Sequence, residues 1–445
     1  MNKKALYIGL PLLLALSVGA GYLAWQQWFD GYPDYSLKVM KQAGEIQERI
    51  VSFDSHVTLP LDFGTEGKEA DKDGKGQFDL VKAGRGRLSA AALTVFGWPE
   101  IWNGPNAPHR PTAGFVEEAR NQQEVRYKAI SAMARDFPNQ VGIAYTPADM
   151  RRLQGEGKFA IFISMLNAYP LGNDLNLLDK WAARGMRMFG FSYIGNNDWA
   201  DSSRPLPFFN DTADAFDGLS DIGQRAVQRL NDLGVIIDVS HMSTKALEQI
   251  SHLSRTPMVA SHSVPRAMVD IPRNLSDKEL LLIKNSGGVV QIVGFGGYLK
   301  PLSAKTQDKL NALRADFDLP PLPNLAMALM PGDPVIAAWS EQKFGQYASR
   351  LYGILDREPK ATLKDLGDAI DYTVRKIGID HVGIASDFNE GGGLKGWDSV
   401  ADTRNVTAEL LQRGYSEADI AKLWGGNFMR VWQQVQDSAK PVAVR

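Results

Sequence analysis

Short apolar runs alternate with amphipathic stretches along most of this chain. The runs are Arg49–Phe53, Ala90–Phe96, Phe159–Ile163, Met186–Phe191, Val235–Val239, Met258–Ala260, Gly288–Val293 and His381–Ala385. Runs without polar alternation are expected of strands buried on both faces, as in parallel sheets. Helical patterns lie between several of them. Asp221–Leu233 is apolar at Ile222, Ala226, Val227 and Leu230 and is closed by Gly234; Ser276–Lys284 opens with Ser and carries Glu279 three residues on. Eight such units predict an α/β protein with a (β/α)8 (TIM) barrel of the metal-dependent hydrolase type. Tyr298–Asp356 breaks the alternation with a Pro-rich and then helix-like stretch between the seventh and eighth strands. It reads as a helical excursion over the barrel rim.

Polar side chains stand where the apolar runs end. His241 and His262 follow VIID and PMVA, and Asp387 follows HVGIA. The carboxyl ends of barrel strands are where active sites are built, and His and Asp are zinc-type ligands. His109, His252 and His381 lie away from strand ends and read as hydrogen-bonded structural residues. Trp98 and Trp102 follow the second strand and suit an aromatic groove or packing under a loop.

Composition narrows the chemistry. The 445 residues are 44% hydrophobic and 22% charged, with a net charge of −2, which gives no electrostatic case for nucleic acid. There is no cysteine, so a thiolate nucleophile, a disulfide or a Cys-type metal site is excluded. Lys3 and Lys4 precede an uncharged run from Ala5 to Trp25. Residues 1–28 therefore read as a signal peptide or signal anchor, with the barrel over 40–440 exported to a bacterial periplasm. The reading leaves room for inner-membrane anchoring through residues 5–25 and for a homodimer.

The stretches FDSHVTLP, GMRMFGFSYIGNNDWADSS, LNDLGVIIDVSHMS, PMVASHS, IPRNLSDKEL and HVGIASDFNEGG, in this order, resemble the membrane (renal) dipeptidases, a family of zinc-dependent barrel hydrolases. The resemblance implies two zinc ions held by a His-x-Asp, a bridging Glu, two further histidines and an Asp, with another His and an Arg on the substrate. Carried over residue by residue, His56, His241, His262 and Asp387 fall on metal positions, and Asp387 also falls where a catalytic carboxylate acts on the water. Arg273 falls on the substrate arginine. Three positions have changed: Thr58 replaces the Asp of His-x-Asp, Leu166 replaces the bridging Glu, and Tyr193 replaces the substrate His.

Two divalent cations close together need a shared carboxylate, and leucine cannot supply one. The expectation is one zinc per chain at most, or none. Within the family, the export segment and the lost carboxylates are most similar to dipeptidase-like proteins of periplasmic pyoverdine maturation in fluorescent pseudomonads, where the precursor peptide ferribactin is oxidised. The substrate implied is a small peptide, either a siderophore precursor or a dipeptide. A working one-zinc dipeptidase and a non-catalytic peptide-binding maturation partner are the alternatives.

Overall fold

The computed structural model describes residues 33–98, 113–206, 211–321, 334–337 and 339–440. Residues 1–28, read above as a signal peptide or anchor, and Trp102 and His109 lie outside them. Among the described residues no helix is long and apolar enough to cross a membrane.

Among the described residues nine strands form one all-parallel sheet: β1 Phe53–Thr58, β2 Ala90–Phe96, β3 Val141–Ile143, β4 Phe159–Leu166, β5 Met186–Gly190, β6 Ile236–Asp238, β7 Met258–Ser263, β8 Val289–Val293 and β9 Val382–Ala385. Eight of them follow one another as staves in the order β1-β2-β4-β5-β6-β7-β8-β9. A parallel bridge between Val57 and Phe388, just beyond β9, closes the ring. The short β3 is a side strand on β4, in register Val141 to Phe159. This is the expected (β/α)8 barrel.

Two details differ from expectation. Arg49 ends a helix, Leu37–Arg49, and β1 begins only at Phe53. Several staves also run past their apolar stretch into polar residues: β1 takes in Asp54 and His56, and β7 takes in Ser261 and His262, every residue of both strands being buried.

Helices cover the outside as their sequences dictate. Asp221–Leu233 has Ser220 accepting from the Gly223 N–H at one end and Gly234 in the left-handed region at the other. Asp277–Asn285 carries the full capping box from Ser276 and Glu279. Phe53, Phe162, Phe428 and Trp432 pack against one another in a core layer distinct from the main cluster under the helices. Between β8 and β9 the chain leaves the barrel through helices Ala304–Ala315 and Glu341–Leu355, which share a small core of Leu310, Phe317, Trp339 and Tyr347.

Candidate active site at the barrel mouth

The carboxyl ends of the staves converge on a pocket of about 140 Å³. His56 (β1), Leu166 (β4), Tyr193 (after β5), His241 (after β6), His262 (β7) and Asp387 (after β9) all line it. Seven of the eight sequence-selected residues thus sit at or beside one point, since Arg273 lies directly under it; Thr58 is buried nearby in β1, its Oγ1 without a hydrogen-bond partner.

The imidazoles form a directed chain. Arg204 donates from Nη2 to Nδ1 of His241 at 3.0 Å. A guanidinium can only donate, so Nδ1 of His241 is the acceptor and its proton is on Nε2. That nitrogen stands 2.7 Å from Nε2 of His262. His262 therefore accepts there and carries its own proton on Nδ1, 2.6 Å from Oγ of Ser261. Ser261 in turn donates to Oδ2 of Asp238 at 2.5 Å. Burial first, and then the nearby Arg273 for His241 and His56 for His262, hold both imidazoles well below their ordinary pKa, so the neutral forms this polarity requires are the stable ones. His56 stacks on His262 with ring centroids 3.8 Å apart, and burial with Arg273 pushes its pKa down to about 3.

Asp387 stands 3.6 Å from Nε2 of His56 through Oδ1. Burial, and then the neighbouring Glu390, push its carboxyl well above the usual range. His241 (φ 68°) and Asp387 (φ 61°) both lie in the left-handed region. Non-glycine residues rarely adopt it, and such strain concentrates at functional sites.

Arg273 is fully buried. Its Nη1 donates to Oγ of Ser263 at 2.9 Å and its Nη2 to the His262 carbonyl at 2.6 Å, while Nε has no partner and the guanidinium lies 5.2 Å over the Tyr298 ring. Tyr193 packs edgewise on Trp98 and 4.9 Å from the His241 ring. Asn167, beside Leu166, is consumed by loop structure: it donates to the Gly97 carbonyl and accepts from Tyr169 and Asn197.

Three polar pocket residues, Arg204, Tyr298 and Glu390, carry no signal in the apolar pattern. Arg204 orients His241 from the WADSSR loop, which Asp201 fixes by accepting from the Gly218 and Phe216 amides. Tyr298 covers Arg273 from the start of the excursion. Glu390 lines the pocket with no hydrogen bond or ion pair to its carboxylate among the described residues. Burial pushes it up to about 7 against the opposing pull of Arg126. None lies in an apolar run, so periodicity passes over them; the signal available was their position in the loops after the strand ends.

His56, His262 and Asp387 offer ligand atoms within 4.8 Å of one another. Two ligands on one tetrahedral zinc stand about 3.3 Å apart. The His56–Asp387 separation fits that; the 2.7 Å contact between His241 and His262 is a hydrogen bond and must open for both to ligate. The group is of the right chemistry to hold one ion. Leu166 presents only an aliphatic side chain to the pocket, and Thr58, buried in β1, offers only a hydroxyl.

Over residues 40–444 the sequence matches membrane dipeptidase, peptidase family M19. The chain belongs to the membrane dipeptidase family. Among solved structures it is similar to the probable dipeptidase PvdM from Pseudomonas aeruginosa, at 72% identity, 91% of this chain, all of that one and a TM-score of 0.87. A metallo peptidase from Rhodobacter sphaeroides, liganded with a phosphinate mimic of the dipeptide L-Ala-D-Ala, shares the fold at 20% identity, over 87% of this chain and 99% of that one, with a TM-score of 0.64. The dipeptidase aclJ of Aspergillus oryzae is 26% identical over 83% of this chain and 72% of its own length.

Proposed function

We propose that this membrane dipeptidase homologue acts in the periplasm on a peptide siderophore precursor, in the maturation of pyoverdine at the ferribactin oxidation stage. The observation that carries the reading is the combination at one site of 72% identity to PvdM with Leu166 and Thr58 at the positions of family carboxylates. A two-zinc hydrolytic centre has no bridging group here. What the site offers instead is a fixed row of neutral imidazoles between Arg204 and Asp238, with Asp387 and Glu390 as carboxyls and Tyr193 as an aromatic wall.

On this reading His56, His262 and Asp387, with His241 after a ring rotation, would hold a single zinc. When bound, such an ion supplies Lewis acidity to a substrate oxygen. The chain's own residues do the rest. Arg204 sets the tautomer of His241, Arg273 fixes the His262 backbone from below and presents its free Nε, and the Tyr193 and Tyr298 rings shield the pocket from water.

The test is removal of the gene from a pyoverdine-producing strain and complementation with this chain or its His241→Ala variant. The expected result is loss of the fluorescent siderophore, accumulation of unoxidised precursor, restoration by the wild type and none by the variant. Unchanged siderophore production would sink the reading. The convergence of His56, His262 and Asp387 favours a second one, a one-zinc dipeptidase. Zinc-dependent cleavage of simple dipeptides by the purified protein would support it.

A further inference from the structure

The pocket holding the histidines is small. Its 140 Å³ falls below the roughly 300–1,000 Å³ of sites that enclose a whole small ligand, and it has room for about one side chain. Next to it lies a cavity of about 520 Å³ that the histidine chemistry does not use. Phe295 lines both. Its ring stacks on Tyr298 at 4.2 Å, and a Cβ on Gly391 would come within 2.6 Å of its edge atom Cε2. Glu390 faces the small pocket, while the next three residues, Gly391 to Gly393, line the large cavity. The two spaces therefore share the Phe295 ring as a wall, and the glycine turn after Glu390 runs from one to the other.

That turn is firmly held. The Gln77 side chain donates to the carbonyls of Gly392 and Asp398 and accepts from the Asn389 amide. The outer wall comes from the two ends of the excursion between β8 and β9, Lys300 to Leu302 and Leu355 to Ala361. The barrel does not need this insertion for closure, so the cavity it builds requires a reason. The lining is mixed: Leu302, Leu355 and Pro301 are apolar, Lys300 and Lys360 are cationic, and the Glu358 carboxylate is tied to the Ser303 amide and hydroxyl. Mixed charge on apolar walls suits a peptide of varied side chains and does not suit a polyanion or a lipid chain.

We infer that the outer cavity is a second subsite of the same groove, which holds the body of a peptide several residues long while one residue passes Phe295 to reach the histidines. The inference rests on the peptide reading above and specifies the substrate as an extended peptide, not a dipeptide. An extended chain advances about 3.3 Å per residue, so a few residues fill the outer space.

The test is a binding series on the purified protein by calorimetry, with ferribactin and with synthetic fragments of two and four of its residues. Gly296 lines the outer cavity, and its Cβ position meets only ordinary contact, 3.5 Å from Ala361. Gly296→Phe should fill the space; Pro301→Trp, at an exposed position on the same wall, serves if the first variant fails to fold. The whole precursor is expected to bind at least tenfold more tightly than the two-residue fragment. Either variant should remove that gain and leave the fragment's affinity within about twofold. Equal affinity for fragment and precursor, or a gain that survives both variants, overturns the inference and leaves the maturation reading standing. Failure of the wild type to bind the precursor at all overturns both.

Discussion

At the level of single residues the site is governed by buried groups held in unusual protonation states. Glu390 gives the cleanest sign. Its folded pKa, about 7, lies above the ordinary 4.5 because burial penalises the charged form. A group shifted upward contributes its stability below the unfolded value and loses it as the pH rises through the folded one. The cost of Glu390 therefore accrues between pH 4.5 and 7. Glu390→Gln should leave stability unchanged at pH 4.5 and raise it by about 1–3 kcal/mol at pH 8, read by urea denaturation. A gain at pH 4.5, or none at pH 8, would refute this account of the carboxyl. Arg204 gives a second prediction. Among the described residues its side chain hydrogen-bonds only to His241. Arg204→Met should let the His241 proton move between nitrogens, which nitrogen-15 shifts of the imidazole report, and should abolish maturation in the complementation assay. A tautomer that stays on Nε2 in the variant would show that His262 alone sets it.

Elements show which parts of the molecule were legible in the sequence. The eight staves and the excursion after the seventh could be read because buried parallel strands are apolar on both faces. Their functional ends could not. The apolar pattern ends β7 at Ala260 and starts β1 four residues early, because Asp54, Ser55, His56, Ser261 and His262 break the apolar run while remaining in the strand. The residues that make the site are the ones that hide the strand carrying them. Helix Leu37–Arg49 was missed for a related reason: its buried face, Ala43, Gly44, Ile46 and Gln47, is small and partly polar. His56, His241, His262 and Asp387 were found because each stands just past a run, or within FDSHVT. Arg204 and Glu390 were not, since their loops have no period and reach the pocket only through tertiary contacts. One such contact can be tested. The helix Asp221–Leu233 packs against the loop carrying Arg204 so closely that a Cβ on Gly223 would lie 2.1 Å from the Trp199 carbonyl. Gly223→Ala should cost about 1–3 kcal/mol by overpacking against backbone and should weaken maturation by displacing Arg204. Normal stability in the variant would mean that the loop yields freely and does not fix the site.

For the molecule as a whole, the question is what a dipeptidase barrel becomes if Leu166 stands in place of its bridging carboxylate, as we propose. Two divalent ions about 3.5 Å apart repel by roughly 20 kcal/mol even at an effective dielectric of about 20. Only an anionic ligand shared between them offsets a term of that size, and Leu166, which we propose stands at the bridging position, cannot supply one. Arg204 and Arg273, both buried beside the histidines, add positive charge and oppose a second cation further. The purified protein should therefore take up no more than one zinc per chain in native mass spectrometry, however much is supplied. Restoring the two acids, Leu166→Glu with Thr58→Asp, should reverse this. Without metal the double variant buries two carboxylates that lack partners, which should lower stability by several kcal/mol. Zinc should then restore it, because an ion bound only by the folded state stabilises in proportion to the logarithm of its concentration over Kd. The expected signature is a large zinc-dependent rise in Tm for the double variant, a small one for the wild type, and a stoichiometry that moves from one or fewer to two. Two ions on the wild-type chain would show that another group bridges them and would return this protein to ordinary dipeptide hydrolysis. A double variant that folds well without zinc and ignores it would show that the barrel mouth has been rebuilt too far for the old centre to return.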